Sequence, residues 1–166
     1  MLRCLSLLPI AAAAAAAAQP GAVVYAGGGW AAIDRGSVCE AVSRSLKVAP
    51  KDKVQAVAGF AFTADRRRWG EFHARLSRIP RAGSSVILTI GRQPFLLVTR
   101  GDWAWSTGAE QQHAIIEAIR AGGWMKVESR DSAGGRFTDP YLTDGAATAI
   151  DSAAARCALR AAGKIR

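Results

Sequence analysis

The sequence predicts an α+β fold: an antiparallel, β-rich domain with a sandwich-like sheet and two helices in its C-terminal half. Short runs of β-branched and aromatic residues separated by turn residues indicate strands, and only two segments have helical periodicity. Strand segments follow one another before the first helix, instead of alternating with helices. This order favours an antiparallel sheet over a parallel βαβ arrangement.

The strand segments are short and bounded by Gly, Pro or charged turns. The segment 71–77 alternates strictly, so Phe72 and Ala74 are expected on one face of the sheet and His73 and Arg75 on the other. The predicted strands before the first helix are 30–34, 38–46, 54–63, 71–77, 86–90 and 94–99.

Two helices are predicted after the segment Trp103-Ala104-Trp105. Thr107 and Glu110 have the spacing of a capping box, and the first helix ends at Gly122-Gly123. Strands at 124–128 and 136–142 follow. Asp144 is expected to cap a second helix over 145–161, which places Cys157 on its apolar side.

The N-terminus is typical of a cleaved secretory signal. One positive charge at Arg3 precedes a short apolar run rich in alanine, and cleavage is expected after Ala18. A membrane anchor is the alternative, but the run is shorter than the roughly 20 residues that span a bilayer. The expected organisation is therefore a signal over 1–18, a flexible linker over 19–29 and one domain over 30–166. The expected location is periplasmic or secreted, with no transmembrane segment after cleavage.

Two cysteines remain once the signal removes Cys4. In an oxidising compartment, the pair Cys39 and Cys157 predicts a disulfide between an early strand and the last helix. Two buried free thiols are the alternative. A catalytic thiol is not expected, since neither cysteine lies in a C-x-x-C motif or near a histidine.

The chain is strongly basic, with a formal net charge of +9, which favours anionic partners. A candidate binding surface combines arginines with a Trp-x-Trp motif whose indoles share one face if the segment is extended. Its residues are Arg66, Arg67, Arg68, Arg75, Trp103 and Trp105. The alternatives are a solvated arginine face and tryptophans packed in the core. Nucleic-acid binding is not expected, because no helix-turn-helix or zinc-finger pattern is present.

Candidate catalytic residues are few. His73 with Glu71 suggests a general base oriented by a carboxylate, as in a small periplasmic hydrolase, or else a polar ladder on a sheet surface. His113 has glutamates nearby on a helix but too few further ligands for zinc. No G-x-S-x-G motif occurs. The sequence thus predicts no enzyme, no metal and no cofactor.

Residues 79–157 resemble the invasion-associated locus B family of exported bacterial proteins. The similarity lies in a Pro- and Gly-containing lead into the strand 86–90, the step Gln93-Pro94-Phe95, the helical segment 114–122, and the step 141–145 before an Ala-rich helix. The family's usual cysteines between the Phe and the helix are missing, and Ala146 replaces its Phe. The resemblance implies a periplasmic or surface-associated β-rich domain with no established enzymatic activity.

Together these observations predict an exported, non-enzymatic binding or accessory protein of the bacterial envelope. It would present a basic and aromatic surface to an anionic envelope component or a protein partner. A small hydrolase that uses the His73 and Glu71 pair, and a structural envelope protein, are the alternatives.

Overall fold

The computed structural model describes residues 21–165. These residues form ten strands and two helices. None of their helices is long and apolar enough to cross a membrane. In chain order the elements are β1 (Ala22–Gly27), β2 (Trp30–Asp34), β3 (Val38–Arg44), β4 (Val57–Thr63), β5 (Trp69–Arg75), β6 (Val86–Ile90), β7 (Gln93–Arg100), β8 (Trp103–Trp105), α1 (Gly108–Ala121), β9 (Trp124–Arg130), β10 (Arg136–Leu142) and α2 (Ala146–Ala161).

All ten strands join one antiparallel sheet in the order β1-β2-β3-β4-β5-β8-β7-β6-β9-β10. The sheet curls until its last strand approaches its first strands. The Leu46 amide donates to the Pro140 carbonyl at 2.8 Å, and the Trp30 indole donates to the Leu142 carbonyl at 2.7 Å. The predicted α+β, β-rich and sandwich-like class is therefore confirmed.

The core lies on the concave inner face of this curled sheet. Trp30, Phe60 and Phe72 are fully buried there, with ring centroids 6.1 Å and 5.4 Å apart along the series. Such pairs add attraction beyond the apolar area that they bury. Residues from β6, β9 and β10 close the core from the opposite side, among them Leu88, Val127, Phe137 and Tyr141.

The helix α2 lies against β1–β4 on this inner face and is tied there in two ways. A disulfide joins Cys39 of β3 to Cys157, with Cα atoms 5.7 Å apart. Nearby, the buried carboxylate of Asp34 on β2 accepts hydrogen bonds from Arg156 and Arg160, both at 2.6 Å. The expected link between an early strand and the last helix is thus present.

The N-terminal boundary of the domain differs from the prediction. The sequence predicts a flexible linker over 19–29, but residues 22–27 form β1 and pair with β2 through a turn at Gly28 and Gly29. The linker prediction is wrong for these residues because the glycines that suggested flexibility make a hairpin turn. The predicted signal over 1–18 lies outside the described residues.

The N-terminal caps of both helices differ from the predicted caps. Thr107 is the N-cap of α1, but the Gln111 side-chain oxygen accepts its amide at 2.7 Å, so the predicted pairing with Glu110 is wrong. One turn of helix brings Gln111 back over Thr107. The N-cap of α2 is Gly145 in a left-handed conformation, and not Asp144 as expected.

Candidate functional site

The candidate site lies on the outer face of the sheet, opposite the core and the two helices. Alternation along β5 places His73 and Arg75 on this face, while Phe72 and Ala74 point to the core. In the pairing of β5 with β8, His73 lies opposite Trp105 and Arg75 lies opposite Trp103. The two strands thereby place residues that are 28 to 32 positions apart in sequence side by side.

Trp103 and Trp105 form a stacked pair on this face. The strand β8 is extended, as the Trp-x-Trp motif requires, and the ring centroids lie 6.2 Å apart with planes 15° from parallel. Trp103 also lies 6.1 Å from the His73 ring and is 37% exposed. Neither of these two indoles belongs to the core, in contrast to Trp30.

A shallow cavity of about 250 Å³ lies beside the stacked indoles. We call the residues that line it the Trp–His cluster: Glu40, Arg68, His73, Trp103 and Trp105. Glu40 comes from β3, and its Oε1 lies 3.9 Å from His73 Nε2. Sequence reasoning missed Glu40. The alternation of β3, which places Glu40, Val42 and Arg44 on one face, is the signal that points to it.

His73 is buried, with 8% exposure, although it belongs to the outer face. Gly59 of β4 lies directly opposite it, and a Cβ there would come within 3.0 Å of the imidazole Nε2. The missing side chain leaves room for the ring between β4 and the indoles. The expectation of an exposed His73 paired with Glu71 is therefore wrong, since Glu71 contacts Arg68 at 3.7 Å instead.

Burial lowers the pKa of His73, with a smaller contribution from the positive charge of Arg68. The Glu40 carboxylate and the main-chain carbonyl of Glu71 oppose this shift without cancelling it. The imidazole is therefore neutral at pH 7. The residues that line the cavity include no hydroxyl or thiol, so His73 has no side-chain nucleophile within the cavity to activate.

The structure divides the predicted arginine group. Arg68 lines the cavity, and Arg75 lies beside Trp103 with its Nε 2.9 Å from Asp102 Oδ2. Arg66 instead lies over the ring of Trp69, 4.6 Å from its centroid. Arg67 has a side chain that is 88% exposed and points to Asp65.

A bulge explains this division. The pairing of β4 with β5 shifts register between Ala61 and Phe62, next to Gly70 with its φ of 80°. The extra residue turns Trp69 toward Phe62 on the core side, with ring centroids 5.3 Å apart. Because the Arg66 guanidinium packs on the Trp69 ring, Arg66 does not contribute to the outer face.

Among residues 21–165, no three His, Cys, Asp or Glu side chains lie close enough together to hold a metal ion. His113 is exposed on α1.

The fold resembles a solved structure. The crystal structure of invasion associated protein B from Bartonella henselae aligns with a TM-score of 0.56 and 17% sequence identity, over 78% of this chain and 94% of that chain. The predicted resemblance is thereby confirmed for the fold. At this identity no residue role carries over from one chain to the other. No family model and no curated protein matches the sequence.

Proposed function

We propose that this chain is an exported, non-enzymatic binding protein of the bacterial envelope that binds an anionic partner on its outer sheet face. The observation that carries the proposal is the stacked Trp103 and Trp105 pair, held outside the core between Arg68 and Arg75. Flat aromatic faces beside guanidinium groups suit a ligand with apolar ring faces and anionic substituents.

The surroundings of the indoles support a docking surface. On the neighbouring strand β7, Val98 lies opposite Trp105, and Leu96 and Val98 are 61% and 50% exposed. Together with Trp103 they extend the cluster into a continuous exposed apolar band. Exposed apolar patches with polar rims are typical of interaction sites.

Two features favour export. The first 18 residues have the pattern of a secretory signal, and the disulfide between Cys39 and Cys157 is the kind of cross-link that persists in oxidising compartments. A purely cytoplasmic protein would gain little from such a bond, because thiols there are kept reduced.

The cavity chemistry favours binding over hydrolysis. A hydrolase that uses His73 needs a nucleophile or an activated water within its reach, as well as a histidine that solvent and substrate can reach. His73 is buried beneath the indoles, and Glu40 and not Glu71 faces it. We therefore assign His73 a structural role, in which it supports the two indoles of the Trp–His cluster.

The proposal is tested with Trp103→Ala in a binding assay on acidic glycans and anionic vesicles at two salt concentrations. We expect Trp103→Ala to weaken binding about tenfold, a typical effect for a central aromatic contact. Trp124→Ala is the matched control, because Trp124 is 52% exposed on β9 and contacts Lys126 instead of the cluster.

A second pair of variants tests the division of the arginines. Arg68→Ala/Arg75→Ala should weaken binding and its salt dependence, while Arg66→Ala/Arg67→Ala should leave both within about twofold. Equal affinities of Trp103→Ala and the unmodified chain for the anionic probes would exclude the Trp–His cluster as the binding surface. Stable self-association with no binding to any anionic probe would favour the structural envelope protein instead.

A further inference from the structure

Strand register places three arginines in one line across the outer face. Arg44 of β3 lies opposite Val57 of β4, which lies opposite Arg75 of β5. Arg75 lies opposite Trp103 of β8, which lies opposite Arg100 of β7. Directly opposed residues of neighbouring strands share a face, so these five side chains form a continuous line that we call the cross-strand row.

Arginines and apolar residues alternate along the cross-strand row, and the spacing of the strands makes their separation regular. Neighbouring strands lie about 4.8 Å apart, so the backbone positions of consecutive arginines lie about 10 Å apart, with Val57 or Trp103 between them. Arg44 and Arg100 are exposed and make no ion pair with another described residue. Arg75 contacts Asp102 and remains 46% exposed.

The outer face has room for an extended ligand along this row. A concave region of about 740 Å³ is lined by residues of β1–β4, including Val42, Arg44 and Val57. The smaller cavity of the Trp–His cluster lies farther along, beside Trp103. The row thus leads from one depression to the other.

The spacing distinguishes between classes of polyanion. Phosphates follow one another more closely along a nucleic-acid strand, at about 3.4 Å of helix rise per nucleotide. Alternate residues of an extended peptide, which share one face, repeat at about 7 Å. A bilayer presents its charges over a plane, not in a line. A polysaccharide with one carboxylate in every two pyranose rings repeats at a length close to the arginine spacing, and its ring faces stack on an indole.

We infer that the partner is a linear acidic polysaccharide that lies across β3, β4, β5, β8 and β7, with carboxylates on Arg44, Arg75 and Arg100 and a sugar ring on Trp103. This inference rests on the proposed function, and it specifies the class of anionic ligand that the outer face binds. Guanidinium groups bind carboxylates with two parallel hydrogen bonds, which fixes the chain in one register.

The test uses the full chain and oligosaccharides of alternating glucuronic acid and N-acetylglucosamine, titrated by calorimetry. Affinity should rise from the tetrasaccharide to the hexasaccharide, as a third carboxylate reaches the row, and then change little for longer chains. Arg44→Gln and Arg100→Gln should each lower hexasaccharide affinity about fivefold to tenfold and make it less salt-dependent. Arg92→Gln, at an exposed turn outside the row, should have no effect.

Two results would overturn the inference. One is equal affinity for the tetrasaccharide and hexasaccharide. The other is a loss of affinity in Arg44→Gln and Arg100→Gln no larger than in Arg92→Gln. If the oligosaccharides give either of these results, but polyglutamate or anionic vesicles bind and Trp103→Ala weakens that binding, the proposed function stands while the polysaccharide assignment fails. If no anionic probe binds, both fail.

Discussion

At the scale of single residues, Gly59 decides where His73 lies. A Cβ at position 59 would come within 2.6 Å of the Ala41 carbonyl oxygen and 3.0 Å of His73 Nε2. Gly→Ala in a strand ordinarily stabilises, but here the added carbon overpacks a filled space, so we expect a loss of about 2 kcal/mol in Gly59→Ala. Urea denaturation measures the loss. NMR titration should show the pKa of a displaced, more exposed His73 rising toward 6.5.

The double variant Gly59→Ala/His73→Ala separates the two contacts. Removing the imidazole relieves the clash with His73 but leaves the one with the Ala41 carbonyl. The double variant should therefore lose less stability than the sum of the single variants. Strict additivity, together with an unchanged titration of His73 in Gly59→Ala, would argue against this role for Gly59.

For a single residue, the sequence predicts which face of the sheet its side chain lies on better than it predicts which residues surround that side chain. The alternation of 71–77 correctly separates His73 and Arg75 from Phe72 and Ala74. The burial of His73 depends on Gly59 and on the indoles, which come from other strands and are placed by register. Arg44 and Arg100 are likewise not predicted as binding residues. Their neighbours in the sequence do not distinguish them from other surface arginines, and strand register alone places them in the cross-strand row.

At the scale of elements, Asp34 links β2 to α2 and makes that link sensitive to pH. Burial raises the pKa of Asp34, but hydrogen bonds from Arg156, Gly36 and Arg160 outweigh it and hold the pKa below 3.8. The folded state therefore takes up this proton less readily than the unfolded state. Its stabilisation is complete above pH 3.8 and is lost as the pH falls through the lower folded-state value.

Asp34→Asn should accordingly lose about 2 kcal/mol at pH 7, because two arginines lose a charged acceptor. The difference from the unmodified chain should shrink as the pH is lowered below 3.8 in a series of urea denaturations. Asp151→Asn is the control. Asp151 also accepts from an arginine, Arg120 of α1, but its side chain is 58% exposed, so the loss should be under about 1 kcal/mol. Equal losses in the two variants would contradict this role for Asp34.

Element prediction succeeds for short apolar or alternating runs that turn residues bound, and it fails at the N-terminal edge of the sheet and at the helix caps. The strands at 30–34, 86–90 and 136–142 agree with β2, β6 and β10. The sequence does not reveal β1 because glycines surround it; among the described strands it lies at the sheet edge and pairs with β2 alone. At α1 a spacing rule does not decide whether Glu110 or Gln111 reaches Thr107, and α2 begins at Gly145 without a side-chain cap.

At the scale of the whole molecule, the order of strands is the part that sequence does not reveal. Hairpins such as β6–β7 follow from two adjacent apolar runs and a turn. The pairings β5–β8 and β6–β9 join segments separated by other elements, so no local pattern specifies them. The β5–β8 pairing assembles the Trp–His cluster and joins the two halves of the cross-strand row. The disulfide was predictable because only two cysteines remain after the expected signal.

The disulfide between Cys39 and Cys157 should contribute much of the stability of the curled sheet. It closes a loop with a sequence separation of 118, which in the chain-entropy model destabilises the unfolded state by about 5 kcal/mol. Urea denaturation with and without reductant should show a large fall in midpoint for the unmodified chain. Cys39→Ala/Cys157→Ala should unfold at the lower midpoint in both conditions. Overlapping curves for the oxidised and reduced chains would mean that Asp34 and the buried face of α2 hold the helix on the sheet without help from the cross-link.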